Sequence, residues 1–260
     1  FRLYKDDEYL PDKMIPMVFP GDAEYDTEDG MGRYIPQWSM WYIIEAAEYI
    51  LKRGHKDLTE DFRPSIYRLL DFYRQYENAD GLLERLPSWN FVEWSKANDW
   101  TWDVNYPTNF LYAGALRAAA EVFDRPQLRE KADAICLEAI RQSFNGEVFC
   151  DHAIRREDGS LELQPHVSEA AQYYALLFGG ISLEESRFAI LKEHVFDNFA
   201  AFAARCDVSE SDGHGIENEG SARLTFCPVN AFIGFYLRLM LLQERGEKKL
   251  MERDMKAFFG

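Results

Sequence analysis

The chain has 260 residues, 47% of them hydrophobic, enough for a substantial core in one large domain. Its 29 Lys and Arg stand against 45 Asp and Glu, a net charge of −16, and a field of that sign repels phosphate backbones and anionic headgroups, so neither nucleic acid nor a membrane is an expected partner. The longest apolar runs, such as Phe232 to Leu242 with Arg238 inside it, are too short to span a bilayer.

Residues 1–37 read as an irregular arm: "MIPMVFPGDAEYDTEDGMGRYIP" carries three prolines and three glycines. Its acids Asp22, Glu24, Asp26, Glu28 and Asp29 lack the spacing of an EF-hand and read as a solvated loop. From residue 38 to 260 the pattern is that of a single helical domain. Trp41, Ile44, Ala47, Tyr49 and Leu51 recur at helical intervals up to a stop at Gly54. A second helix starts near Thr59, with Glu60 and Asp61 in its first turn, and ends before Asn78. A third (Asn109 to Phe123) and a fourth (Pro126 to Phe144) are separated only by Asp124-Arg125, which makes them an antiparallel hairpin. Glu147 to Val167 suits a short β-hairpin. A fifth helix spans Ser168 to Gly180, and a sixth spans Ser182 to Cys206, where Ser182 and Glu185 fit a capping box. A seventh covers Pro228 to Gly246 and an eighth begins at Lys248. The predicted class is all-α.

Acidic-Gly turns at Asp29-Gly30, Asp80-Gly81, Asp158-Gly159 and Asp212-Gly213 each precede a polar or aromatic loop and then a helix. Their spacing is too uneven for a short-repeat solenoid, and stacked helical hairpins with the long loops on one face, an α/α toroid, fit better.

The chemistry concentrates in "RLPSWNFVEWSKANDWTWD", from Arg85 to Asp103, which holds Trp89, Trp94, Trp100 and Trp102 in a segment with neither helical nor strand periodicity. An indole offers an apolar face to the C–H face of a pyranose and an N–H at its edge, so Trp89 and Trp94 are expected on the wall of a sugar cleft. Trp38, on a Pro-flanked turn at a helix start, should share one concave surface with Trp94, whereas Trp41 belongs to the core. Trp100 and Trp102, alternating with Asp99 and Asp103, suit a sugar surface or a rim contact with a neighbouring domain. Glu93, between Phe91 and Trp94, is the expected functional carboxylate, partly desolvated and raised in pKa. Glu217 and Glu219 beside His214 occupy a Gly-rich loop, which is either a substrate loop or an ordinary flexible one. His152, His166 and His194 show no ligand spacing. Cys136, Cys150, Cys206 and Cys227 form no CxxC and read as buried thiols. No metal or organic cofactor is implied, no catalytic residue is assigned, and the compartment is left open.

"IPQWSMWYIIEAAEYILKRG", then "DGLLERLPSWNFVEWSKAND" and "NFLYAGALRAAAEVF", resembles the six-hairpin catalytic domain of the α-L-rhamnosidases, with "VSEAAQYYALLFGGI" similar to a later helix of that domain. The resemblance covers roughly Pro36 to Gly180. It implies a glycosidase with a six-hairpin toroid that hydrolyses terminal α-L-rhamnosyl bonds with inversion, so that the expected partner is a rhamnose-containing glycan or glycoside. Two departures stand out: Gln37 occupies a place where the family usually has an acid, and Phe91-Val92-Glu93-Trp94 replaces an F-x-D-W. The family's acid and base motifs are also not seen. Seven or eight helices where such a ring needs twelve therefore suggest a segment of the catalytic domain, to be completed by other segments of a parent chain. On that reading the missing helices are supplied by another chain or segment, or a broad exposed apolar face is expected beside the seventh helix, from Val229 to Glu244. A non-catalytic carbohydrate- or protein-binding helical module, or another six-hairpin glycosidase, remains the alternative; the negative charge weighs against uronates.

Overall fold

The computed structural model describes residues 14–17, 34–197, 226–229 and 233–259. The acidic run from Asp22 to Asp29, the loop with His214, Glu217 and Glu219, and Cys206 lie outside them. Eight helices are described: α1 (Pro36–Lys52), α2 (Thr59–Arg74), α3 (Tyr106–Phe123), α4 (Pro126–Ser143), α5 (Glu169–Phe178), α6 (Ala189–Lys192), α7 (Ile233–Glu244) and α8 (Lys248–Phe259). The class is all-α, as expected, with one small antiparallel sheet in the order β1 (Val104–Asn105), β2 (His152–Arg155), β3 (Leu161–Leu163). The hairpin β2–β3 was legible in the sequence, whereas the two-residue β1, which sets Asn105 opposite His152, is too short for any periodicity.

Two boundaries moved for local reasons. Helix α3 begins three residues before Asn109, because the Asn105 side chain caps it by accepting from the Thr108 N–H at 2.9 Å and Pro107 suits the first turn. The capping box expected at Ser182 and Glu185 does not start a helix. The two residues close a backbone turn instead, and α6 begins only at Ala189. Here burial outweighs the cap: Phe188 is fully buried against Phe144 and Phe149, and seating that ring fixes where the chain can become helical.

The odd-numbered helices pack side by side in chain order, α1 on α3, α3 on α5, α5 on α7, while α2, α4 and α8 lie outside this row. Burial follows that layering. Every residue of α3 from Tyr106 to Leu116 is buried, whereas α2 and α4 bury a single face, so the inner helices read apolar all round and the outer ones amphipathic. A Cβ on Gly114 would sit 2.5 Å from the Phe178 ring, so α3 and α5 can approach this closely only with glycine there. Across this row Trp41 of α1 meets Tyr174 and Phe178 of α5 and Tyr236 of α7, with ring centres 5.7 to 6.4 Å apart.

The expected broad apolar face beside the seventh helix is not seen among the described residues. Phe235, Leu237, Leu241 and Leu242 are buried, and Tyr236 is the exposed large apolar side chain of α7. Helix α8 covers α7 because Asp254 pairs with Arg238, the residue that interrupted the apolar run. No helix among the described residues is long and apolar enough to cross a membrane.

The long connections α2–α3 and α4–α5 lead into the N-termini of the inner helices α3 and α5, whereas α1–α2, α3–α4 and α7–α8 are short. The first two long connections open alike. After α2 the Asn78 side chain accepts from the N–H of Asp80 and Leu82, and Glu77 bridges to Leu83; after α4 the Asn145 side chain accepts from Glu147 and Val148, and Phe144 bridges to Phe149. The incoming backbone is then clasped by an amide four residues past the next helix cap, Asn109 holding the N–H and C=O of Leu83, and Gln172 those of Phe149. The repeat suspected from Asp-Gly turns is therefore carried by Asn78 and Asn145, while Asp158-Gly159 is the tip of the β2–β3 hairpin.

Candidate functional site

From Leu86 to Ser95 the loop belongs to no strand or helix, so its backbone groups need side-chain partners. Gln37, in the first turn of α1 and 1% exposed, donates to Asn90 Oδ1 at 3.0 Å and to Thr108 Oγ1 at 2.9 Å, and accepts from the Phe91 N–H at 3.0 Å. Asn98 accepts from the Val92 N–H, and the buried Tyr174 hydroxyl donates to the Val92 carbonyl. Arg85, Ser88 and Asp103 adopt left-handed backbone at φ of 54°, 68° and 47°. Such conformations cost free energy in non-glycine residues and persist where the surroundings over-determine them. Here the Arg85–Asp103 ion pair at 2.7 Å and the bond from the Ser88 hydroxyl to the Tyr34 carbonyl at 2.6 Å hold them.

On this frame the rings of Trp38, Phe91, Trp89 and Trp94 form one cluster. Phe91 is its hub, with centroids 6.3 Å from Trp38, 5.6 Å from Trp89 and 5.6 Å from Trp94. Phe91 is buried, Trp89 half-buried, and Trp38 and Trp94 are 41% and 55% exposed. Loop and helix thus bring Trp38 and Trp94 to a common surface at the N-terminal end of α1. Exposed indole held in this way presents an apolar face with an N–H donor at its edge.

Trp100 and Trp102 belong to a second group. Trp100 stacks on His166 with centroids 4.6 Å apart and planes 7° from parallel, and His166 in turn faces His152, Nδ1 to Nε2, at 3.0 Å. Burial and the neighbouring His166 push the His152 imidazole down to about 4. Trp102 is 71% exposed. Beside it Asp103 accepts from Arg85 and from the Arg155 N–H; burial pushes its carboxyl up, but those bonds hold it below the usual range. Arg155 also grips Glu84 and so lowers its pKa.

Glu93 lies between Phe91 and Trp94 in sequence. Its side chain is fully buried, and a Cβ on Gly234 would come within 3.0 Å of its Oε1, so α7 passes close over it. Cys136 and Cys150 are buried free thiols, and Cys227 is a half-buried one. Among the described residues no group of three or more His, Cys, Asp or Glu is placed to hold a metal ion.

Sequence reading passed over three contributors: Phe91, Gln37 and the histidine pair. Phe91 could have been found from its place between Trp89 and Trp94. Gln37 shows why an amide and not an acid stands there, since its neighbours require two donors and one acceptor, which a carboxylate cannot supply. Gln37→Glu should therefore lower stability by about 1–3 kcal/mol and red-shift the tryptophan emission, measured by urea unfolding with fluorescence detection; an unchanged midpoint would show that Gln37 does not hold the loop. His152 and His166 lie 14 residues apart, and only the hairpin pairing joins them.

No family model and no curated protein matches the sequence. Among solved structures, the chain is similar to the GH78 family rhamnosidase of Bacillus sp. GL1, at 18% identity and a TM-score of 0.64, covering 85% of this chain and 21% of that one. It is also similar to the rhamnosidase from Klebsiella oxytoca with rhamnose bound, at 13% identity and a TM-score of 0.60, covering 95% of this chain and 41% of that one. At these identities the likeness establishes the fold, that of a helical segment of these enzymes, and the chain spans less than half of either.

Proposed function

We propose that the chain forms the sugar-binding wall of a glycoside hydrolase that acts on terminal α-L-rhamnosyl bonds, within one helical domain from residue 38 onward. The observation that carries this is the half-exposed platform of Trp38, Trp89 and Trp94 around Phe91 at the N-terminal end of α1 in a rhamnosidase-like fold. A 6-deoxyhexose has an apolar methyl group and a C–H face to lay on indoles, and hydroxyls for the edges. Glu93 is assigned the bracing of the platform. Trp100 and Trp102 form a flanking contact, toward a longer glycan or a neighbouring domain. Hydrolysis with inversion needs one acid on the leaving oxygen and one base on water, ~6.5–9.5 Å apart. Asp103, Glu84 and Asp99 are paired with Arg85, Arg155 and Lys96, so we assign them to structure and not to proton transfer.

Titration with L-rhamnose followed by tryptophan fluorescence tests the binding. A dissociation constant of about a millimolar is expected, because a monosaccharide has few atoms to offset its lost freedom. Trp94→Ala should weaken it at least about tenfold; unchanged affinity in that variant would remove the platform as the site. With no described carboxylate assigned to proton transfer, the chain by itself should bind but not hydrolyse p-nitrophenyl α-L-rhamnopyranoside, and measurable turnover would show that its own acids suffice.

A further inference from the structure

A hollow of ≈ 510 Å³ is lined by residues at the C-terminal end of α4 and on the β2–β3 hairpin. Its volume falls within the ~300–1,000 Å³ of small-molecule sites. One wall is apolar, from Ala153, Leu161 and Leu163. The other is a hydrogen-bonded chain in which the buried Tyr106 hydroxyl donates to Gln142 Oε1 at 3.2 Å and Gln142 Nε2 donates to Asp80 Oδ2 at 3.0 Å. The guanidinium groups of Arg141 and Arg155 complete the lining.

The charges decide what this hollow accepts. Arg141 is held in a two-pronged pair by Glu138, and Arg155 by Glu84. With Asp80 added, the acids outnumber the guanidinium groups, so the hollow offers no net attraction to an anion. It retains directional capacity, though: among the described residues Arg141 Nη1 keeps its N–H groups, and Asp80 Oδ1 and the Tyr106 oxygen keep acceptor positions. A guanidinium donor beside a carboxylate acceptor, facing an aliphatic wall, complements a vicinal diol on a ring with one apolar face.

We propose that this hollow is a second binding site, distinct from the tryptophan platform, for one neutral, hydroxyl-rich sugar unit. It rests on this lining and not on the platform, so the two can fail separately.

The test is amide chemical-shift mapping of the whole chain with methyl α-L-rhamnopyranoside, methyl α-D-glucopyranoside and D-glucuronate as probes. At least one neutral glycoside should shift Ala153, Gly159, Leu161 and Leu163, and Arg141→Ala together with Asp80→Ala should weaken that response about tenfold or more while leaving the shifts of Phe91 and Trp94 in place. Both residues are exposed, and an unchanged spectrum elsewhere confirms that the variant is folded. Hairpin shifts that survive the double substitution, a stronger response to glucuronate, or no hairpin response to either glycoside would overturn the second site. Loss of the Phe91 and Trp94 response alone would overturn only the platform.

Discussion

Asp254→Ala should be the most damaging single substitution in the described chain, lowering the unfolding free energy by about 3–5 kcal/mol. Arg238 and Asp254 are 4% and 0% exposed at their side chains, with Nε to Oδ2 at 2.6 Å. The same guanidinium donates to the Tyr173 hydroxyl at 3.3 Å and to the Val195 carbonyl at 2.7 Å. One carboxylate thereby fixes a cation that joins α7 and α8 to α5 and to the turn after α6. Its removal takes away the carboxylate bonded to that buried guanidinium. Replacing both partners, Arg238→Met with Asp254→Leu, removes the two charges together and should cost less than Asp254→Ala alone. Urea unfolding at constant slope reads both. A cost below about 1 kcal/mol for Asp254→Ala would mean that water screens the pair and that apolar packing alone joins these helices.

The contrast between Arg238 and its apolar neighbours shows what the sequence could disclose. Long helices with a 3.6-residue period, α1 to α4, were legible almost to their ends, because their burial pattern is written into consecutive residues. The pairing of Arg238 with Asp254 was not, since it depends on α8 folding back over α7, and a charge inside an apolar run looked only like an interruption. The seating of Phe188 defeated a locally sound capping signal for the same reason.

At the candidate site the aromatic residues were visible by density alone, but not what orders them. Gln37, Asn109 and Tyr174 brace the loop from 53 to 82 residues away or from a separate helix, contacts that no local pattern encodes. Glu93 looked functional from its aromatic neighbours. Its full burial beside Gly234 of α7 is a matter of tertiary packing that the local sequence does not encode.

Adjacent residues Asp151 and His152 should give opposite pH dependences of stability that largely offset each other in the wild-type chain. The Asp151 carboxyl is fully buried, which pushes it up to about 7 against the bonds it accepts from the Ser168 N–H and hydroxyl, both at 2.6 Å. His152 is pushed down to about 4 by burial and by His166. Between about pH 4 and pH 6.5 the folded chain holds a proton on Asp151 that the unfolded chain has released, so this group's contribution is complete at low pH and lost as pH rises toward 7. Over the same range the unfolded chain protonates His152 and the folded chain does not, so the imidazole's contribution is complete above the unfolded value and lost as pH falls toward 4. The swings are on the order of 4 kcal/mol for Asp151 and 3 kcal/mol for His152. Relative to wild type, Asp151→Asn should make stability rise more steeply with pH across this window, and His152→Gln should make it fall. Denaturant midpoints at about pH 4.5 and pH 6.5 measure both. A general weakening of the fold would move the two variants in parallel; only titration of these two buried groups moves them in opposite directions, and parallel curves would refute it.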